Sequence, residues 1–311
     1  MTPDLEFRMI PLDELALCKG PQSWRDRPNS LAETLSVAAQ IGERFGLRIG
    51  DCAAGVLAAD ALSDDDLARG IADRGRDVGT DELRGATVLY LQPYVSRVAA
   101  PMFAAWVLYG RIPDVSVANL TPRFNAFGRL QDVAMKVPRV FALPGDLMPD
   151  AEVVTVEDLS EAAIEVLLAN HLLPVMKRLR PYGKLALPIA KGSVASQIGV
   201  ALTFIDAQGL VPWQTVGRIA LEFFGRTRAE IAGEGVSGDM HFNEIGARAG
   251  VTFRRGTCCL VYRAPSKEYC GGCPLGDRNE LLETWKTRLL ARPMEDLVTV
   301  AGRRQEAEQL T

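Results

Sequence analysis

Four cysteines crowded into one short segment constrain this chain more than any other feature. They read Cys258-Cys259, then ten residues, then Cys270-Gly271-Gly272-Cys273-Pro274, a C-C-x10-C-x2-C pattern. Four sulfurs so placed can meet at one centre only if the ten-residue connector doubles back. A soft set of four thiolates selects zinc, cuprous copper or an iron-sulfur cluster. The only other cysteines, Cys18 and Cys52, lie far upstream and are expected to be small buried apolar residues.

Spacing discriminates among the metals. Structural zinc sites present ligand pairs as C-x2-4-C, which lets two sulfurs grip one tetrahedral ion without strain. The adjacent pair Cys258-Cys259 departs from that pattern, because consecutive side chains diverge in extended backbone. Both can face one centre only where the backbone turns locally, and Gly256 is the expected place for the turn. The second pair is more conventional: Gly271 and Gly272 free backbone N–H groups to approach sulfur, and Pro274 ends the loop ahead of a last helix.

Arg255-Gly256-Thr257-Cys258-Cys259-Leu260-Val261-Tyr262-Arg263, together with Cys270-Gly271-Gly272-Cys273-Pro274-Leu275, resembles the C-terminal signature of the FhuF-like ferric-siderophore reductases. A weaker likeness runs from Leu185 to Trp213. The resemblance implies a 2Fe-2S cluster held by Cys258, Cys259, Cys270 and Cys273. It also implies an oxidoreductase that passes one electron to ferric iron in a siderophore complex, hydroxamate or related, and releases ferrous iron. Two other readings stand beside it: a siderophore-binding or electron-carrier iron-sulfur protein without turnover, and a zinc-stapled structural domain.

Such a relay demands no general acid or nucleophile. It does need an electron source, because no Gly-rich dinucleotide fingerprint follows a convincing strand and Gly233-Glu234-Gly235 lacks the remaining glycine spacing. A reduced ferredoxin, flavodoxin or flavin reductase is the expected donor. Arg254, Arg255, Arg263 and Lys267 surround the cysteines in sequence and are candidates for docking an acidic donor or the oxygens of the chelate. The two histidines, His171 and His241, are remote from the cysteines and are not expected to be ligands; His171 reads as a packing residue.

The whole chain limits the setting. At 311 residues, 48% hydrophobic and 24% charged, it can bury a sizeable core. A net charge of −4 argues against the basic surface that nucleic acid requires. The acidic start Met1-Thr2-Pro3-Asp4-Leu5-Glu6 lacks the order of a secretory signal, so a reducing, cytoplasmic setting is expected, with a peripheral place on the inner face of the membrane kept open. The longest apolar run, Val98 to Tyr109, is too short to span a bilayer and contains Pro101, so no transmembrane helix is expected.

Periodicity predicts an α+β, predominantly helical fold: a helical N-terminal part, short β pieces in the middle and a helical C-terminal part carrying the iron-sulfur loop. Helices are expected at 30–45, 51–62, 64–74, 159–173, 188–208, 213–228 and 277–290. Thr155-Val156-Glu157-Asp158 is a helix-start pattern, and Asp64-Asp65-Asp66 suits a helix N-terminus. The apolar stretch 80–110 is expected to be buried and to break or kink at Pro93 and Pro101. Val115-Ser116-Val117 and Arg139-Val140-Phe141 are expected β pieces, and 233–259 turns from Gly-rich to β-prone. Trp106 and Trp213 are expected in the core. The Pro-rich region 112–150 marks the expected boundary between an N-terminal unit, 1–150, and a C-terminal unit, 151–311.

Overall fold

The computed structural model describes residues 7–9, 27–50, 64–124, 130–227, 238–246, 248–263, 269 and 272–291. The fold is α+β and predominantly helical. The helix expected at 51–62, the Gly-rich 233–237, and Cys18, Cys52, Lys267 and Cys270 lie outside the described residues.

The centre of the molecule is a long helix. Helix α1 spans Leu31–Gln40, α2 Asp64–Val78 and α3 Leu83–Tyr109. Pro93 and Pro101 sit inside α3, yet the helix runs on through both. Each proline removes one backbone hydrogen bond, but α3 is buried on nearly every side between its neighbours, and that packing holds the segment helical. The expected break is therefore absent. Helix α3 ends at Gly110, whose φ of 67° is the left-handed value that favours glycine and whose N–H reaches the Trp106 carbonyl at 2.8 Å.

Helix α1 starts at Ser30, whose hydroxyl accepts from the Glu33 N–H at 3.1 Å. Both Asp150 carboxylate oxygens cap the same end, accepting from Leu31 N at 2.8 Å and Ala32 N at 3.0 Å. The acidic run Asp64-Asp65-Asp66 opens α2, as its charge suggests.

Nine strands form three small sheets among the described residues. In the first sheet, β2 (Arg48–Ile49) pairs in parallel with β5 (Leu130–Met135), which pairs antiparallel with β4 (Leu120–Phe124). In the second, β3 (Arg111–Pro113) pairs antiparallel with β6 (Arg139–Ala142), which pairs in parallel with β7 (Glu152–Thr155). The third sheet joins β1 (Phe7–Met9) to a hairpin of β8 (Gly238–Ile245) and β9 (Arg248–Arg255). The expected β piece at Arg139 forms; the one at Val115 does not. The Val115 carbonyl is bonded to His171 Nδ1 at 2.5 Å, and Val117 N donates to Asn170 O at 3.1 Å. Those backbone groups are committed to a helix and cannot join a ladder.

That helix is unusual. Asp158 caps it, accepting from Ser160 N at 2.9 Å and Glu161 N at 3.2 Å, while Thr155, where the sequence pattern began, ends β7. Helix α4 (Leu159–Ala163) passes into a π-helix over Ile164–Leu172 and then into α5 (Leu173–Gly183). Helix α6 spans Leu187–Ala207, α7 Trp213–Arg226 and α8 Arg278–Leu290. The segments Leu159–Gly183 and Leu187–Ala207 are long and apolar enough to cross a membrane by length and composition, a property the sequence reading did not assign to them. More than half of each one's most apolar window, 56% and 61%, is buried inside this fold. One hydrophobic core links residues from Leu31 to Cys259, with Trp106 inside it and Trp213 packed against it.

Candidate metal centre

The cysteine segment joins β9 to α8. Strand β9 is seated firmly: Phe253 faces Gly199 of α6 so closely that a Cβ at that glycine would collide with the ring. The Arg255 N–H at the end of β9 then donates to the Gly272 carbonyl at 3.0 Å. This bond draws the second half of the loop to the end of the strand, beside the start of the first half. A Cβ at Gly272 would lie 3.2 Å from the Phe253 carbonyl, so the close approach favours glycine there. On the other side Gly276 N donates to Cys273 O at 3.2 Å, and Asp277 caps α8 by accepting from Asn279 N at 2.7 Å and Glu280 N at 3.1 Å.

The first half turns where the sequence gives no sign of it. Leu260 takes a φ of 63°, a left-handed value costly for a branched side chain, whereas Gly256, the expected hinge, does not. The turn directs the Leu260 N–H to Cys258 Sγ at 3.3 Å. A short 3-10 turn, Val261–Arg263, closes with Arg263 N donating to Leu260 O at 3.0 Å. It brings Leu260 beside Gly85 of α3 and Arg263 Nη1 to within 3.1 Å of Glu82 Oε1. The ring of Tyr262 meets that of Tyr269 at 5.5 Å between centroids. Residues from the two ends of the connector are therefore in contact, as the doubling back requires.

Cys259 and Cys273 are buried, at 4% and 5% exposure, and Cys258 is half-buried. None of the three is in a disulfide. Among the described residues no group of three cysteine, histidine or acidic side chains is already arranged to hold a metal, and Cys270 lies outside them. The donor chemistry nevertheless fits an iron-sulfur cluster: cysteines outside any disulfide on one loop, two of them screened from solvent, and a backbone N–H already directed at sulfur.

The basic candidates fare differently. Arg263 is exposed and paired with Glu82. Arg255 is only 7% exposed, which does not suit a residue offered to a docking partner. Arg254 is half-buried and opposite Asp239 in the hairpin register. The His241 ring lies tilted against that of Trp285, 5.1 Å between centroids, its pKa lowered chiefly by burial, with Arg254 and Arg278 acting in the same direction and Asp239 against it. His171 lies fully buried in the π-helix, bonded to Tyr94 and Val115, as a packing residue would be. The sequence motif includes Leu260 and Tyr262 but assigns no individual role to them or to Tyr269. The one available signal for the tyrosines was their place near either end of the connector.

Residues 255–275, from the last residue of β9 to just before α8, match the family model described as the FhuF 2Fe-2S C-terminal domain. No curated protein matches the chain. The matched span contains all four cysteines, and the cofactor of that domain is a 2Fe-2S cluster. The loop between β9 and α8 is thus similar to the FhuF 2Fe-2S C-terminal domain, which supports an FhuF-like family for the chain.

Proposed function

We propose that this protein is an iron-sulfur reductase that transfers one electron to ferric iron in a siderophore complex and releases ferrous iron in the cytosol. The observation that carries the reading is the match of residues 255–275 to the FhuF 2Fe-2S C-terminal domain. Cys258, Cys259, Cys270 and Cys273 are the proposed ligands. A 2Fe-2S cluster supplies, when bound, a one-electron couple, near about −400 mV for the all-cysteine plant type. The electron comes from a reduced ferredoxin, flavodoxin or flavin reductase, and ferric iron accepts it.

The chain's own residues hold and shelter the site. The Arg255–Gly272 bond and the Arg263–Glu82 pair fix the two halves of the loop to β9 and to the start of α3. The Leu260 N–H directed at Cys258 stabilises charge on that sulfur. Cys258 is the least buried of the described thiols, and Tyr269 and Leu275 are exposed beside the loop. This side of the centre is where donor and bulky chelate have access. Hard oxygen donors favour ferric over ferrous iron, and each tenfold difference in affinity lowers the one-electron couple by about 59 mV. A low-potential donor suits such a substrate.

The test is to reduce anaerobically purified protein with dithionite, remove the excess, and mix it with ferric siderophore and a ferrous-specific chelator. Reoxidation of the visible spectrum matched by ferrous release supports the reductase. Reoxidation without release, or binding without reoxidation, indicates a carrier. A colourless protein containing zinc and no sulfide overturns the reading.

A further inference from the structure

Leu260 is one of two non-glycine residues with positive φ among the described residues. The other, Lys184, sits at the end of α5, where a left-handed residue is usual and needs no further cause. Leu260 ends no helix. Its φ of 63° opposes the preference of any residue with a Cβ, and the glycine that would sit there freely is not used. Strain of this kind persists only where the surroundings over-determine it, and it concentrates at functional sites.

Two sets of contacts hold the turn. After it, the 3-10 turn Val261–Arg263 closes with Arg263 N donating to Leu260 O, and Arg263 pairs with Glu82. Beside it, the Leu260 side chain meets the first turn of α3 at the buried Gly85. A Cβ at that glycine would lie 4.0 Å from Leu260 Cβ and 3.9 Å from Glu82 Oε2, an ordinary contact distance. A methyl group therefore fits, whereas a longer side chain must displace Leu260. The turn reverses the chain after Cys259, so that the Leu260 N–H points back to Cys258 Sγ at 3.3 Å while Cys259 enters the core at 4% exposure. One turn thus gives two adjacent cysteines different surroundings.

We propose that Leu260 is a positioning residue for the cluster: its left-handed turn, seated on Gly85, raises the reduction potential by aiming one N–H at Cys258. Reduction adds one electron, and with it one unit of negative charge that the ligand sulfurs share. A donor at sulfur is then bonded more strongly in the reduced form than in the oxidised form, and the potential rises. The effect eases electron transfer from the donor protein. The inference rests on the cluster of the reductase reading and not on turnover of a chelate.

The test is a dye-mediated redox titration of the cluster-loaded protein, read by visible absorbance. Leu260→Ile keeps the volume, but a β-branched side chain does not tolerate positive φ. It is expected to lose the bond and to be about tenfold harder to reduce, a midpoint lower by about 59 mV. Leu260→Gly accepts the turn and should keep the wild-type midpoint, as should Gly85→Ala. Gly85→Leu should push Leu260 off its seat and lower the midpoint, and Gly85→Leu combined with Leu260→Gly should restore it, because the longer side chain then fills the space vacated. The bond itself is read in the reduced wild type by pulsed electron paramagnetic resonance, as a coupling to leucine nitrogen labelled with the heavy isotope that disappears in Leu260→Gly labelled in the same way. That measurement decides the matter even where the Ile or Leu variant fails to hold a cluster. Equal midpoints across the series, or no such coupling in the wild type, overturns the inference and leaves the cluster. Protein with zinc and no sulfide overturns it together with the reductase reading. The expected midpoints and coupling without ferrous release from a ferric siderophore support the inference and remove the reductase reading alone.

Discussion

Arg263 Nη1 lies 3.1 Å from Glu82 Oε1, joining residues 181 apart in sequence and pinning the turn after Cys258-Cys259 to the residue that precedes α3. The pair is at the surface, so its contribution to global stability is small. Its effect is expected on the loop alone. Glu82→Gln should shift Tm by no more than about 2 °C yet hasten the loss of visible absorbance in air, because the loop opens more often without its anchor. Following absorbance and circular dichroism together during air exposure checks this: bleaching at the wild-type rate would show that the pair does not hold the loop.

Replacement of the cysteines separates ligation from packing. Each of Cys258→Ser, Cys259→Ser, Cys270→Ser and Cys273→Ser is expected to purify with less than about a tenth of the wild-type iron and sulfide, since a serine oxygen is a poor donor to such a cluster. Cys18→Ser and Cys52→Ser should retain both. Cys259 also belongs to the main core, at 4% exposure. Its serine variant should therefore unfold about 1–2 kcal/mol more easily than the half-buried Cys258→Ser, because a buried hydroxyl needs a partner. Denaturant curves of the metal-free proteins make the comparison. Equal midpoints would mean that the Cys259 site is not packed in the metal-free state.

Much of this site is legible in the sequence because its information is chemical and local. The adjacent Cys258-Cys259 pair and the later C-x2-C point to a soft sulfur donor set wherever the loop happens to sit. What spacing could not supply is the turn at Leu260, since nothing marks a leucine for positive φ. Tertiary packing also overrode local rules elsewhere. Pro93 and Pro101 read as breaks, but burial around α3 keeps the helix whole. Val115 reads as a strand, but its carbonyl is taken by His171, which the π-helix turns inward.

The seating of β9 makes a prediction about two glycines. A Cβ at Gly199 would strike the Phe253 ring, and a Cβ at Gly183 would strike Thr87 and the Leu83 carbonyl. Gly199→Ala and Gly183→Ala should each destabilise the fold by about 1–3 kcal/mol through overpacking. Only the first displaces the strand that leads into the cysteine loop. Cluster content, measured as sulfide per protein in the folded fraction, should therefore fall more in Gly199→Ala than in Gly183→Ala. The opposite order would mean that the loop is positioned from α3 and not from β9.

His171 gives the fold a defined response to acid. Its Nδ1 is 2.5 Å from the Val115 carbonyl, which can only accept, so Nδ1 carries the proton; Nε2 then accepts from the Tyr94 hydroxyl at 2.6 Å. This neutral ring is fully buried, and burial lowers its pKa from 6.5 to about 4 against the opposing bond to Val115. A base with a depressed folded pKa binds fewer protons folded than unfolded between those two values. Stability is therefore unaffected by this group above about pH 6.5, falls by about 1.4 kcal/mol per pH unit below it, and levels off near pH 4 after a loss of roughly 3 kcal/mol. His171→Gln can keep one of the two hydrogen bonds but cannot titrate. It should be less stable than wild type at pH 7.5, by about 1–3 kcal/mol for the bond it forgoes, and should show a shallower decline toward pH 5. Chemical denaturation of the metal-free proteins across that range avoids interference from acid loss of iron. Parallel stability profiles for the two proteins would assign the acid sensitivity to other groups.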